Sequence, residues 1–270
     1  MGTGIAQVFA SHGYNVIVFD PSESALNNSA IIIAESLDHL VKKGRMSQEE
    51  AVSTQRRCRY TKMQDECVAD VIIEAVVENE EIKCTLINEL LAINGTSTII
   101  ASNTSSLSLT AIAEKITSPE RFAGLHFFNP APVMKLVEIV HTQLTDPGVV
   151  ESLVALASSV GKVAVKCKDS PGFIVNRVAR PYYIESLYLL EKTDVKLQTI
   201  DVLLESTGFP MGPFRLMDLI GNDVNYSVSC IVYEALNKPE RLKPSTIQKN
   251  QVEQGRLGRK TGKGFYEYTR

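Results

Sequence analysis

Apolar residues along this chain recur with two different spacings, and the place where the pattern changes divides the sequence. Met1 to Ala10 reads as a helix stopped near Gly13. Tyr14-Asn15-Val16-Ile17-Val18-Phe19 then alternates as a strand finishing at Asp20. From Ser22 to Lys43 apolar groups return at helical intervals until Gly44, and Ser47-Gln48-Glu49-Glu50 is a capping-box pattern that opens another helix. Val68 to Val77 is a continuous apolar run of the kind found in parallel sheets, followed by a helix from near Glu80. Strand Thr98–Ser102, a turn over Asn103–Ser106, helix Ser108–Ile116, two strands carrying His126 and Glu138, helix Val149–Val160 and strand Val163–Cys167 follow. Past Asp169-Ser170-Pro171-Gly172 the spacing is helical throughout: Phe173–Glu191, Leu197–Ser206, Phe214–Leu219, Asn222–Leu236 and Ser245–Glu253. The pattern predicts an α/β fold, a doubly wound sheet over residues 1–169 and an all-helical domain over 170–270.

Composition narrows the class. The 270 residues are 44% hydrophobic and 22% charged, ordinary for a globular protein, and no apolar run is long enough for a bilayer span. A net charge of −3 argues against broad nucleic-acid binding. The five cysteines, Cys58, Cys67, Cys84, Cys167 and Cys230, are odd in number and scattered, which suits reduced thiols in a cytoplasmic or matrix-like compartment. No metal-ligand spacing is visible among the four histidines or the cysteines.

The chemistry gathers at the ends of three apolar runs. The first, Ile99-Ile100-Ala101-Ser102, delivers Asn103 and Ser105 into a turn. The second delivers His126 just before Asn129-Pro130, and the third holds Glu138 between Val137 and Ile139. A carboxylate in such surroundings is costly to bury without a partner, and His126 is the nearest candidate. A histidine held by a carboxylate makes a general base that can carry positive charge. On residue types alone, a solvated edge-strand glutamate and a satisfied core histidine fit equally well.

The start of the chain reads as the second half of a βαβ nucleotide-binding unit. A helix N-terminus faces a pyrophosphate there, and an acid about 20 residues on, here Asp20, binds the ribose hydroxyls. The first strand and first glycines of such a unit are missing, so an upstream start or a fragment is expected. Asp20 would repel a 2′-phosphate, and neither Pro21 nor Ser22 would welcome one, which favours NAD over NADP.

Several longer motifs, taken together, resemble the L-3-hydroxyacyl-CoA dehydrogenase family over essentially the whole chain. They are Ala101-Ser102-Asn103-Thr104-Ser105-Ser106-Leu107, Gly124-Leu125-His126-Phe127-Phe128-Asn129-Pro130, Val133-Met134-Lys135-Leu136-Val137-Glu138, Pro171-Gly172-Phe173-Ile174-Val175-Asn176-Arg177 and Pro210-Met211-Gly212-Pro213. The resemblance implies a Rossmann-type first domain and a helical domain that dimerises and closes over substrate. It implies NAD-dependent oxidation of a short-chain 3-hydroxyacyl-CoA in fatty-acid or phenylacetate-type catabolism. By the same resemblance His126, Glu138, Ser105 and Asn176 are catalytic. Gly2, Asp20, Glu78, Lys83, Ser105, Asn129 and Lys260 face the cofactor, while Ser36, Lys43, Ser105 and Asn176 face the coenzyme A thioester. Ordinary surface charge is the alternative for Glu78 and Lys83, and helix capping for Asn176. Two other readings stay open: a truncated, non-catalytic dimerising product, and a sister NAD-dependent hydroxy-acid dehydrogenase.

Overall fold

The computed structural model describes residues 1–268 and divides into two units, Met1–Asp169 and a second beginning at Ser170. The first opens with α1 (Gly2–Ser11), β1 (Val16–Phe19), α2 (Glu23–Lys42), α3 (Gln48–Arg56) and β2 (Cys58–Thr61). It continues through β3 (Val71–Glu74), α4 (Glu80–Ile93), β4 (Ile99–Ser102) and α5 (Leu109–Ala113). β5 (Phe122–Phe127), β6 (Leu136–His141), α6 (Pro147–Ser159) and β7 (Val163–Lys168) complete it.

The strands form two sheets rather than one. β1 pairs in parallel with β2, and the other five run in the order β3-β4-β5-β6-β7. All neighbours in the larger sheet are parallel except β5 and β6, which are antiparallel. Helix α1 joins the two parts because it is apolar all round. Ile5, Val8 and Phe9 pack into the core beneath β4, β5 and β6, while Ala6 and Ala10 pack with Ile33, Leu37, Ala51 and Cys58 under the two-stranded sheet. Such a helix has no solvated face to orient it, and its place is fixed by the two cores it separates. The one long polar side chain among its buried residues, Gln7, donates to Ser36 Oγ on α2 at 2.8 Å.

Local hydrogen bonds set the element ends. Ser22, Ser47, Asn79 and Ser108 cap α2, α3, α4 and α5, and Ser47 with Glu50 forms the reciprocal capping box that the sequence predicts. β3 is shorter than the apolar run around it. Asn94 Oδ1 takes the Ala69 N–H and Thr98 Oγ1 bonds the Ala69 carbonyl at one end, and the Glu74 carboxylate takes the Val76 N–H at the other. α5 stops at Ala113, short of the expected Ile116, since the Asn88 side chain takes both the Lys115 carbonyl and the Thr117 N–H. β2 was not expected: its Cys-Arg-Tyr-Thr sequence has no apolar alternation, and pairing with β1 makes it a strand.

The five cysteines are free thiols. Burial pushes those of Cys58, Cys67 and Cys84 above their ordinary value. Cys167 on β7 is pushed up to about 12 by burial and then by the charges of Glu138 and Asp169.

The second unit is helical, with α7 (Val175–Lys192), α8 (Leu197–Ser206), α9 (Pro213–Ile220), α10 (Asn222–Ala235) and α11 (Thr246–Glu253). Tyr183, Leu187, Ile200, Phe214 and Met217 form its main core. Two buried carboxylates organise the ends of α9. Asp201 accepts from the N–H groups of Phe214 and Arg215 and from the Tyr266 hydroxyl. Asp218 accepts from the N–H groups of Phe265 and Tyr266, the Tyr268 hydroxyl and the Asn222 amide. The glycine-rich ending is therefore a docked segment, and a Cβ on Gly264 would sit 2.0 Å from Asp218 Oδ1.

Gly124 lies two residues before His126 on β5, where a Cβ would come within 2.5 Å of Leu109 Cδ1 and 2.9 Å of Val140 Cβ. Gly124→Ala is expected to destabilise the protein by about 1–3 kcal/mol, the usual cost of overpacking a filled core. Urea unfolding followed by circular dichroism measures this, and an unchanged midpoint would contradict the packing described.

Candidate functional site

The antiparallel register of β5 and β6 places His126 directly across from Glu138, within a ladder that also pairs Gly124 with Val140 and Leu125 with Ile139. Facing residues on neighbouring strands bring their side chains together. His126 Nδ1 lies 2.7 Å from Glu138 Oε2, with the two side chains 6% and 1% exposed. Twelve residues apart in sequence, they form the partnership that a buried carboxylate in an apolar strand demands. An imidazole bonded at Nδ1 to a carboxylate is fixed in orientation, and its Nε2 becomes the atom that can exchange a proton.

The end of β4 brings a second cluster. Asn103 Oδ1 accepts the Phe127 N–H at 2.8 Å, tying the turn after β4 to the strand that carries His126. Glu78 binds the same turn by accepting from Thr104 Oγ1 at 2.6 Å, from Ser105 N–H at 3.0 Å and from Ser106 Oγ at 3.0 Å. Ser105 Oγ stands 3.5 Å from the same oxygen. Burial pulls the Glu78 carboxyl upward. The Thr104 hydroxyl, the Lys83 ammonium and the bonds from Ser105 and Ser106 outweigh it, so the net shift is below the ordinary value of 4.5.

Beneath this turn lies an ion-pair network that the sequence reading only partly names. Lys83 is 1% exposed, its Nζ 2.7 Å from Glu74 Oε1 and 3.3 Å from Glu78 Oε2. It also donates to the Val76 carbonyl. The other oxygen of Glu74 accepts from Ser102 Oγ at 2.6 Å. The resemblance assigns Lys83 a cofactor contact, but the structure turns its ammonium inward, because two carboxylates and a carbonyl surround it there. Glu74 and Thr104 escaped the sequence reading. Glu74 carried the same signal as Glu138, a carboxylate ending the apolar run Val71-Ile72-Ile73.

The remaining candidates occupy three places. At the nucleotide end, α1 begins without a side-chain cap and with no acid in its first turn, which leaves its leading N–H groups available to an anion. Asp20 follows β1, half-buried, with Oδ1 accepting the Ser22 N–H at 2.8 Å. These residues fit a dinucleotide. Gly2 stands near Ala75, 3.7 Å from a notional Cβ to Ala75 Cβ, whereas the tighter approach is at Gly4, 3.3 Å from Pro132 Cδ. Asn129 is exposed just beyond β5. Half-buried Ser36 on α2 and exposed Lys43 at its C-terminal cap lie seven residues apart, two helical turns. In the second unit, Asn176 is the second residue of α7 and not its cap, which is Ile174. Exposed Lys260 pairs with Asp223 at 2.6 Å.

Comparison with known proteins gives two family matches that together span nearly the whole chain. The NAD-binding domain of 3-hydroxyacyl-CoA dehydrogenase matches residues 1–170, and the C-terminal domain of 3-hydroxyacyl-CoA dehydrogenase matches residues 172–268. The chain is 46% identical to a 3-hydroxyadipyl-CoA dehydrogenase of Escherichia coli K12, over 99% of its own length and 57% of that protein's. It is 42% identical to the mitochondrial hydroxyacyl-coenzyme A dehydrogenase of Mus musculus, over 99% and 88%. Among solved structures, an (S)-3-hydroxybutyryl-CoA dehydrogenase from Ralstonia eutropha superposes with a TM-score of 0.95 at 36% identity, covering 100% of this chain and 96% of that one. The chain thus spans little more than half the length of its E. coli relative.

The depressed Glu78 carboxyl has a pH signature. Its folded value lies below the unfolded 4.5, so the stability it contributes is complete above that pH and is lost as acidification reaches the folded value. The stability gap between the wild type and Glu78→Gln should be constant near neutrality and narrow below about pH 4.5. Urea midpoints for both proteins across this range test it, and a gap that widens with acid would refute it.

Proposed function

The chain belongs to the 3-hydroxyacyl-CoA dehydrogenase family, and from that premise we propose that it catalyses reversible oxidation of a short-chain (S)-3-hydroxyacyl-CoA to the 3-ketoacyl-CoA. The observation that carries this reading is the buried His126–Glu138 pair at 2.7 Å. Nε2 of His126 takes the proton of the C3 hydroxyl. Glu138 accepts from the protonated Nδ1 throughout and stabilises the imidazolium that forms, an interaction strengthened by its burial. Ser105 bonds the reacting oxygen from a turn whose backbone is clamped by Glu78 and Asn103. Asn176 bonds the thioester end, and Ser36 and Lys43 contact the coenzyme A portion. NAD, when bound, supplies the acceptor for the hydride that leaves C3. The first turn of α1, Asp20, Glu78, Asn129 and Lys260 would hold it, with Lys83 acting through Glu78.

Fatty-acid or phenylacetate-type catabolism in the cytoplasm, with the helical unit as the homodimer interface, completes the proposal. Relatives of this family named for 3-hydroxyadipyl-CoA and 3-hydroxybutyryl-CoA support the substrate class. A sister enzyme acting on a free hydroxy acid is the competing reading.

NADH oxidation assayed with acetoacetyl-CoA beside free acetoacetate separates the two, and turnover of the thioester alone is expected. Glu138→Gln keeps the shape and removes the charge that balances the imidazolium. It should retain the native circular dichroism spectrum while kcat falls on the order of 10²–10⁴-fold. Turnover within a few-fold of the wild type would remove the base assignment.

A further inference from the structure

The turn that presents Ser105 is tied to one buried carboxylate. Glu74 ends β3 with its side chain 0% exposed, and each of its two oxygens leads to the turn by a different route. Oε2 accepts from Ser102 Oγ at 2.6 Å, and that hydroxyl oxygen accepts the Thr104 N–H at 3.3 Å. The register of β3 and β4 sets Glu74 opposite Ser102, and the Glu74 carbonyl takes the Asn103 N–H at 2.8 Å. Oε1 accepts from the Val76 N–H at 2.6 Å and from Lys83 Nζ at 2.7 Å. This second route runs on from Lys83 to Glu78, and from Glu78 to Thr104, Ser105 and Ser106.

The distances divide the Lys83 charge unequally. An ammonium has three protons to donate, and here two carboxylates and the Val76 carbonyl receive them. Glu74 stands at 2.7 Å and Glu78 at 3.3 Å. Glu78 faces Lys83 with Oε2 alone, while its Oε1 accepts from the Thr104 hydroxyl at 2.6 Å and from the Ser105 N–H and Ser106 hydroxyl at 3.0 Å. Glu78 is therefore shared between the lysine and the turn. Attraction between opposite charges strengthens where water is excluded, so a buried ammonium deprived of the Glu74 charge would draw Glu78 inward, off the turn.

We propose that Glu74 is a positioning residue for the reaction: by taking up the Lys83 ammonium it leaves Glu78 to hold the turn, and so places Ser105 against the reacting oxygen. The inference rests on the dehydrogenase reading and on the part Ser105 plays in it. Glu74 is buried beneath the turn and reaches the chemistry only through its neighbours. Its charge acts through Lys83 and Glu78, and its hydrogen bonds act through Ser102 and Thr104. A purely structural ion pair would stabilise the fold without setting the rate of the chemical step, and the two cases differ in measurable ways.

The test is steady-state reduction of acetoacetyl-CoA by NADH, with circular dichroism as the check on folding. Glu74→Gln keeps the shape and an acceptor for the Val76 N–H, and removes the charge. Its kcat should fall on the order of 10²-fold, the scale for misplacing a reacting group by about 1 Å, while KM for the thioester stays near the wild type. In a Ser105→Ala background the same substitution should cost little more, because the group that it positions is gone. Adding Lys83→Met to Glu74→Gln removes the stranded cation and returns Glu78 to the turn, so this double variant should recover most of the lost kcat. Replacing both members of a buried ion pair is the change that a fold tolerates best. If Glu74→Gln does not fold, the double variant decides: folded with kcat close to the wild type upholds the inference, and slow or unfolded overturns it. An unchanged kcat in Glu74→Gln, a loss that falls on KM, a full further loss in the Ser105→Ala background, or a double variant as slow as the single one also overturns it and leaves the dehydrogenase reading standing. A wild-type protein that oxidises no NADH with acetoacetyl-CoA removes that reading and this inference with it.

Discussion

The antiparallel pairing of β5 with β6 is the constraint on which the candidate site depends. Every other neighbour in the five-stranded sheet is parallel. A parallel crossover would have separated His126 and Glu138 by a helix, whereas one reversal puts them face to face. Because side chains alternate along a strand, a slip of one residue would send the imidazole to one side of the sheet and the carboxylate to the other. The apolar residues around them, Leu125, Phe127, Val137 and Ile139, are buried and hold the register. The same packing that stabilises the sheet therefore sets the geometry of the proposed base.

Around that pair the protein uses buried ionic groups as fasteners. Glu74, Lys83 and Glu78 join the ends of β3 and β4 to the Ser105 turn, and Asp201 and Asp218 fasten the last residues of the described chain to α9. Removing Glu74 would leave the buried Lys83 short of a counter-charge, and removing a donor from Asp201 or Asp218 would leave a buried carboxylate short of a hydrogen bond, which gives each a strong hold on local conformation. In the first unit this hold falls on the turn that presents Ser105. In the second it fixes the backbone around Lys260, whose own side chain is steadied by Asp223 at the surface.

Much of this was legible in the sequence because the informative residues break a pattern. Glu138 stands out inside an apolar strand, and its need for a partner pointed to His126. Asp20 ends an alternating run, and the Ser47–Glu50 capping box and the glycine stops mark helix ends directly. What was missed obeys no local rule. β2 exists only through its pairing with β1, and α5 is cut short by Asn88 on a different helix. Lys83 reads as a surface cation until folding surrounds it with carboxylates. Glu74 was visible by the logic applied to Glu138, but its partner lies nine residues on, in a helix, where no cross-strand register announces it.

The four thiols of the first unit have a practical consequence. Their raised pKa values keep them protonated at neutral pH, and a protonated thiol is a poor nucleophile toward alkylating reagents and disulfides. Cys58 lies on β2 of the small sheet, Cys84 on α4 and Cys167 on β7, so they sample different elements of the unit. Their labelling rates would then report how often each element opens in the native protein, giving a built-in map of local unfolding.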